Sequence, residues 1–214
     1  NFTVLLDISA SMQFGAPMRK LDYARILAAC LTYLVHGQRD RVGLATFDEA
    51  VVDFVPPSAR HLDVVLHTLD RAKAMRSGRL REPLQALAEH FGRRGLVVLI
   101  SDLYEDPDAL AAALAPIRFR GNDVIVFHVL DEAELTFPYS DVSAFEDVET
   151  GDQLPVVPEA LAEEYRALVT AHIASLNRAL TAQGIDYRQL TTTRPLDFAL
   201  YEYLAFRDRT TRVR

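Results

Sequence analysis

Phe2-Thr3-Val4-Leu5-Leu6 has the pattern of an apolar strand, and Asp7-Ile8-Ser9-Ala10-Ser11-Met12 follows it directly. A carboxylate and two hydroxyls therefore alternate at the point where a buried strand opens into a loop. Oxygen ligands of this kind suit Mg²⁺ or Mn²⁺, which prefer octahedral oxygen coordination. Open α/β sheets bind ligands at the carboxyl ends of their strands. The stretch thus indicates a strand-end metal site with Asp7, Ser9 and Ser11 among its ligands.

Strand and helix patterns alternate along most of the chain, which is typical of an α/β fold with a largely parallel, doubly wound sheet. The strand patterns fall at about 2–6, 42–47, 51–55, 96–100, 124–130 and 185–190. The helix patterns fall at about 18–35, 60–71, 80–91, 107–119, 158–183 and 195–206. We expect Gly37 to end the first helix as a left-handed cap, and Pro56-Pro57 to close an edge hairpin formed by the second and third strands.

The segment 135–157 interrupts this alternation. Two short runs, Ser143–Val148 and Gln153–Val157, flank the turn residues Glu149-Thr150-Gly151-Asp152. This pattern predicts an inserted β-hairpin that projects from the α/β body, with an irregular surface loop as the alternative. We find no linker long enough to divide the chain, so residues 1–214 are predicted to form one domain.

Composition and charge limit the class of protein. The 214 residues are 50% hydrophobic and 25% charged, as in soluble globular proteins, and no apolar run approaches the ~18 residues of a membrane span. The net charge of −7 argues against general nucleic-acid binding, which requires a basic surface. The single cysteine, Cys30, fits a reducing compartment, so we expect a cytoplasmic protein. Asn1 is not an initiator methionine and lies at the start of a strand pattern, so we also expect upstream residues to be missing from this sequence.

Several stretches of the chain are similar to a known family. They are Asp7-Ile8-Ser9-Ala10-Ser11, Arg19-Lys20-Leu21-Asp22-Tyr23-Ala24, Asp40-Arg41-Val42-Gly43-Leu44, Arg94–Leu103, Gly184–Arg188 and Pro195-Leu196-Asp197. Together they resemble a bacterial family of uncharacterised proteins with a von Willebrand factor A-like domain, often partnered with MoxR-type AAA+ ATPases. The resemblance implies a von Willebrand A-like, Rossmann-like fold and a metal-ion-dependent adhesion site. In that site Asp7, Ser9 and Ser11 match the first motif and Asp102 matches the third.

The second motif of that site departs from the family pattern. Ser77-Gly78-Arg79-Leu80 stands where the family usually has Gly-Thr-Asp-Leu before a helix. Glycine has no side-chain ligand and arginine has no acceptor, although Ser77 could offer a hydroxyl if the loop shifts by one residue. The Arg79 guanidinium either neutralises Asp7 and Asp102 or points to solvent. We therefore expect a degraded site that binds Mg²⁺ or Mn²⁺ weakly or not at all.

Two enzymatic interpretations of the same residues each depend on a further catalytic group. A serine hydrolase would need a base beside its serine, and His128 is the candidate. An aspartyl phosphotransferase resembling the haloacid dehalogenases could use Asp7 as nucleophile, but Ser9 stands where its general acid would be. We therefore predict a non-enzymatic protein and keep an Asp7-centred phosphotransferase or hydrolase as the alternative.

A local basic cluster suggests how such a protein would meet a partner. Its members are Arg71, Lys73, Arg76, Arg79 and Arg81. The cluster is either a solvated loop and helix start or a dock for an acidic partner surface through Arg76 and Arg79. The resemblance implies that the partner is a MoxR-type AAA+ ATPase or its client. The inserted hairpin is a second candidate surface, and a self-associating structural scaffold is a further alternative.

Overall fold

The structure is a computed structural model that describes residues 1–74, 76–92, 94–139, 143–146, 153–156, 158–198, 200–201 and 204. Within these residues the strands are β1 Phe2–Asp7, β2 Val42–Phe47, β3 Val51–Ser58, β4 Leu96–Ser101, β5 Asp123–Leu130, β6 Ser143–Glu146, β7 Gln153–Val156 and β8 Asp186–Thr191. The helices are α1 Lys20–Gly37, α2 Leu62–Arg71, α3 Arg81–Ala88, α4 Pro107–Phe119, α5 Glu132–Thr136 and α6 Pro158–Ala182, with a 3-10 helix at Ala10–Gln13. None of the helices in the described part of the chain combines the length and apolar character that a membrane crossing requires.

Six strands form one sheet in the order β3-β2-β1-β4-β5-β8. The neighbouring strands run parallel except β2 and β3, which are antiparallel at the edge. All residues of β1 and β2 are buried, which explains why these strands are nearly continuous apolar runs. The chain leaves β1 toward β2 on one side and returns to β4 on the other, so the strand order reverses between β1 and β4. Ligand sites of doubly wound sheets lie at such a switch point.

Helices cover both faces of the sheet, as the doubly wound prediction requires. Leu27 and Leu31 of α1 pack with Val65 and Leu69 of α2 against one face. On the other face the core is built by α3, α4 and α6, which contribute Leu84, Leu87, Leu110, Leu114, Leu176 and Leu180. Each face of the sheet therefore packs its own apolar core.

Most predicted elements are present, and the differences have local reasons. β3 continues through Pro56 and Pro57 to Ser58, because an edge strand tolerates residues without a backbone N–H donor. Gly37 stays within α1, and Arg39 is the residue with left-handed backbone, at φ 67°. The short helix α5 was not predicted from the sequence. Residues 196–198, 200–201 and 204 are helical and fall within the last predicted helix, whose end at 206 lies outside the described residues.

The predicted inserted hairpin is present. Strands β6 and β7 pair antiparallel, with Ser143 opposite Val156 and Glu146 opposite Gln153. The predicted turn, together with residues 148 and 157, lies outside the described residues. The assignment of the whole chain to one domain remains a prediction.

Candidate functional site

A cleft of about 340 Å³ opens at the carboxyl edge of the sheet, at the switch point between β1 and β4. Its lining includes Asp7, Ser9, Ser11, Gly78, Asp102 and Glu134. The four residues predicted as metal ligands therefore do come together, because parallel strands place their carboxyl ends at one edge. Ser77 is exposed and is not among the residues that line the cleft.

Asp7 is held by hydrogen bonds at the end of β1. Its Oδ1 accepts a hydrogen bond from the Ser9 backbone N–H at 2.8 Å, and its Oδ2 accepts one from Ser101 Oγ at 2.6 Å. Asp7 is only 4% exposed. Burial, and then the charge of nearby Asp102, raise the pKa of Asp7 to about 7, although the hydrogen bonds from Ser101 and Ser9 oppose this rise. Each carboxylate oxygen thus accepts a hydrogen bond, and Asp7 is about half protonated at neutral pH.

Asp102 follows β4 and is paired with a lysine. Lys20, the first residue of α1, places its Nζ 2.7 Å from Asp102 Oδ2 and 2.5 Å from Glu134 Oε1. The lysine side chain is 0% exposed. Burial by itself lowers the pKa of Lys20, but the two carboxylates outweigh it and raise that pKa above its ordinary value of 10.5. A permanently charged ammonium therefore sits at the cleft.

Glu134 belongs to a second buried network beside this lysine. It is the third residue of α5, and it forms a reciprocal capping box with Asp131, whose backbone N–H donates to Glu134 Oε2 at 2.7 Å. The Tyr104 hydroxyl donates to Glu134 Oε1 at 2.9 Å. The ring of Tyr104 also lies 5.1 Å from Lys20 Nζ, and the ring of Phe14 lies at 5.8 Å. Two carboxylates and two aromatic rings therefore surround the ammonium.

The loop that carries the altered second motif packs tightly on the first motif. The Ala10 backbone N–H donates to the Arg76 carbonyl at 2.6 Å, and Ser9 and Arg76 form a parallel bridge. A Cβ atom added at Gly78 would lie within 3 Å of the Ser9 side chain. Glycine is required for this close approach, and a threonine ligand does not fit at position 78 with the loops in this arrangement.

Of the two alternatives for Arg79, the structure matches the one in which its guanidinium points to solvent. The Arg79 side chain is exposed, and the cation paired with Asp102 is Lys20. Residue 79 lies between the cleft-lining residues Gly78 and Leu80, whereas Lys20 is fully buried. Arg79 thus belongs to the rim of the site and not to its charge balance.

The candidate ligands already have partners within the chain. Asp102 Oδ2 contacts an ammonium, each oxygen of Asp7 accepts one hydrogen bond, and Gly78 supplies no side-chain ligand. Ser9 Oγ and Ser11 Oγ, the remaining ligands of the first motif, lie 3.1 Å apart and hydrogen bond to each other. Across the described ranges, no group of three or more His, Cys, Asp or Glu side chains is arranged to hold a metal ion. Weak or absent ion binding remains a prediction, which requires a binding measurement.

The arrangement also disfavours the enzymatic readings. His128 lies within β5, where its Nδ1 is 2.6 Å from the Tyr187 hydroxyl and its Nε2 is 2.8 Å from the Asp102 carbonyl oxygen. Burial lowers the pKa of His128 to about 4. Both ring nitrogens are engaged away from the serine hydroxyls, so His128 is not placed as their base. Asp7, with a pKa of about 7, is about half protonated at neutral pH, and only its ionised form could act as a nucleophile.

Comparison with known proteins defines the family. The family model described as "Protein of unknown function DUF58" matches residues 1–175. The chain belongs to the DUF58 family. The uncharacterized protein Rv1480 of Mycobacterium tuberculosis is 29% identical over 214 residues, a match that covers 96% of this chain and 67% of that protein.

Solved structures show the same fold at low sequence identity. The conserved hypothetical protein BatB from Bacteroides thetaiotaomicron superposes with a TM-score of 0.64 at 16% identity, covering 97% of this chain and 98% of BatB. The SpRpn10 VWA domain superposes with a TM-score of 0.51 at 10% identity, covering 91% of this chain and 89% of that domain. This DUF58 chain therefore has a von Willebrand A-like fold, as the resemblance implied.

Sequence reasoning missed Lys20 and Glu134 as parts of the site, although both carried a signal. Lys20 lies four residues before Ala24 and seven before Leu27, on the apolar face of α1, where an unpaired lysine is rarely buried. Asp131-Glu132-Ala133-Glu134 has the spacing of a capping box. The signal for Lys20 was a charged residue on a buried helix face, and the signal for Glu134 was an acid at the start of a short helix.

Proposed function

We propose that this chain is a non-enzymatic protein-interaction module that meets its partner at the carboxyl edge of the sheet. The von Willebrand A-like fold is typical of protein-interaction domains. The observation that carries the proposal is the internal engagement of the candidate catalytic groups, with Asp7 bonded to Ser101 and His128 bonded to Tyr187. These groups organise the edge and do not form a nucleophile–base pair.

An exposed basic segment flanks Gly78 and Leu80, two residues that line the cleft. We call its members the basic rim: Arg71, Lys73, Arg76, Arg79 and Arg81, all of which are exposed. The Arg76 side chain is 67% exposed, and its 3.7 Å ion pair with Glu49 is too exposed to hold it firmly. A protein with a net charge of −7 that concentrates exposed basic side chains in one segment beside its cleft is suited to an acidic patch on a partner.

The resemblance of the sequence supplies the class of partner. Family members are often partnered with MoxR-type AAA+ ATPases, so we propose that the basic rim contacts such an ATPase or its client. The chain would then act as an adaptor that presents a client for remodelling. The β6/β7 hairpin is the second candidate surface, since a two-stranded hairpin has edges that can pair with a partner strand.

Charge reversal at the rim tests this proposal. The variant Arg76→Glu/Arg79→Glu is compared with Arg41→Glu/Arg60→Glu, which makes the same charge change at exposed positions near the opposite edge of the sheet. Binding to a purified MoxR-type ATPase from the same genome is measured by surface plasmon resonance. We expect the rim variant to bind about tenfold more weakly, because exposed ion pairs contribute about 0.5–1 kcal/mol each, and the control to bind like the parent. Equal loss in both variants would argue for general electrostatic attraction and against a rim-specific dock.

Two assays separate the alternatives. Turnover of a generic phosphoester that disappears in Asp7→Asn would favour the phosphotransferase or hydrolase. A mass that rises with protein concentration in sedimentation, in the absence of any partner, would favour the self-associating scaffold. We expect no turnover and no such rise.

A further inference from the structure

We propose that the Lys20 ammonium is the permanent cation of this site and that it replaces a divalent ion. The ammonium supplies a fixed positive charge to Asp102 and Glu134 from within the fold, where an adhesion site would use Mg²⁺ or Mn²⁺. This pairing concerns the chain alone and holds whichever partner binds the rim.

The geometry around Lys20 Nζ is that of a coordinated cation. Two carboxylate oxygens, Asp102 Oδ2 and Glu134 Oε1, contact it at 2.7 and 2.5 Å. The acid side chains are themselves only 3% and 10% exposed. The rings of Phe14 and Tyr104 close the remaining approach. Such enclosure is stable only when the charge is compensated at short range, which the two carboxylates provide.

The choice of lysine is specific. Lys20 and Lys73 are the only lysines in a chain with 23 lysine and arginine residues. An ammonium is a compact point charge that resembles an ion, whereas a guanidinium is a planar fork that needs more room. Lys20 is also the first residue of α1, where the helix dipole disfavours a cation. The attraction of the two buried acids must outweigh that effect, which argues that the position serves the site and not the helix.

The ammonium excludes a metal ion in two ways. It occupies an oxygen of Asp102, the third-motif acid, and it repels a dication brought into the same cleft. Gly78 adds nothing to compensate, because its close contact with Ser9 leaves no space for a ligand there. The residues of the first motif therefore lie beside a third-motif acid that already has a cation.

The same geometry changes what a partner can contact, a consequence that rests on the proposed function. An ion in an adhesion site offers an open coordination position to a carboxylate of the partner. The Lys20 ammonium is fully buried and already bound to two acids, so it offers no such position. Partner carboxylates must instead contact the exposed basic rim, and docking does not depend on divalent ions.

Ion binding by three forms of the chain tests the inference without any partner. Mn²⁺ binding is followed by electron paramagnetic resonance for the parent, for Lys20→Ala, which opens space at the ammonium, and for the exposed control Lys73→Ala. We expect no saturable binding by the parent or the control at millimolar Mn²⁺. We expect Lys20→Ala to bind Mn²⁺ saturably, at least about 100-fold more tightly than the detection limit that the parent sets, equivalent to about 2.8 kcal/mol at 1.4 kcal/mol per factor of ten.

Two outcomes would overturn the inference. Saturable Mn²⁺ binding by the parent would show that Lys20 does not replace an ion, and failure of folded Lys20→Ala to gain affinity would show that the ammonium is not what excludes one. If circular dichroism shows that Lys20→Ala does not fold, Lys20→Ala/Glu134→Gln takes its place, since it removes one of the two acids left without a counter-ion. Mn²⁺ binding by the parent tests the inference whether or not Lys20→Ala folds. Loss of partner binding in the rim variants would bear only on the proposed function.

Discussion

Replacement of Lys20 by methionine is expected to destabilise the protein strongly. Methionine preserves most of the buried aliphatic chain and removes the charge. The Lys20 side chain is 0% exposed, so the change leaves Asp102 and Glu134 without their counter-ion. Removing one partner of a buried ion pair costs about 3–5 kcal/mol.

The remaining contacts of the two acids place the expected cost within that range. Glu134 keeps its hydrogen bonds from the Tyr104 hydroxyl and the Asp131 backbone N–H, at 2.9 and 2.7 Å. The Asp102 carboxylate loses the 2.7 Å contact to the ammonium. One acid is thus still partly satisfied and the other is not, so we expect a loss of about 4 kcal/mol in the free energy of unfolding at neutral pH.

Urea denaturation at pH 7 measures this loss, with Lys73→Met as the exposed control. Lys73→Met should stay within about 0.5 kcal/mol of the parent. A Lys20→Met variant within about 1 kcal/mol of the parent would refute the reasoning.

Three further changes test neighbouring parts of the site. Asp7 has a folded pKa of about 7 against an ordinary value of 3.8, so the native chain binds the extra proton between these values and its stability falls as pH rises through them. Asp7→Asn removes this component, and its stability relative to the parent should rise by about 4 kcal/mol between pH 4 and pH 8 in urea midpoints. His128 has a pKa of about 4 in the folded chain against an ordinary value of 6.5, so the unfolded chain binds more protons between these values. The stability of the parent should therefore fall by about 3 kcal/mol from pH 6.5 toward pH 4, and His128→Gln should lack this fall. Gly78→Ala should lower the free energy of unfolding by about 1–3 kcal/mol in calorimetry, because its Cβ would clash with Ser9. Gly37→Ala, with open space around the added Cβ, should be neutral or stabilising. Equal melting temperatures of the two variants would contradict the tight contact at Gly78.

The sheet and the first-motif residues were predictable from the sequence because they depend on local patterns. An apolar run such as Leu96–Ser101 indicates a buried strand, and parallel strands must present Asp7 and Asp102 at one edge. The hairpin of β2 and β3 followed from two short strand patterns with a polar turn between them. Periodicity and turn chemistry therefore sufficed for the architecture and for the location of the cleft.

The pairing of Lys20 with the two acids at the cleft was not predictable in the same way. Lys20 meets Asp102 across 82 residues of sequence and Glu134 across 114. Sequence patterns do not specify such long-range pairings, so Arg79, which stands inside the altered motif, was the nearer candidate for the neutralising cation. The reason for glycine at position 78 is likewise a contact between two loops, with Ser9, that spacing alone does not reveal.

The central claim is that Lys20 is a charged, enclosed cation that no divalent ion displaces. NMR of the parent chain labelled with ¹⁵N-lysine tests it directly, because Lys20 and Lys73 are its only lysines. We expect a protected ammonium signal from buried Lys20, none from exposed Lys73 because its protons exchange with water, and no change in the Lys20 signal when millimolar Mg²⁺ is added. Absence of a protected ammonium signal, or its displacement by Mg²⁺, would contradict the account.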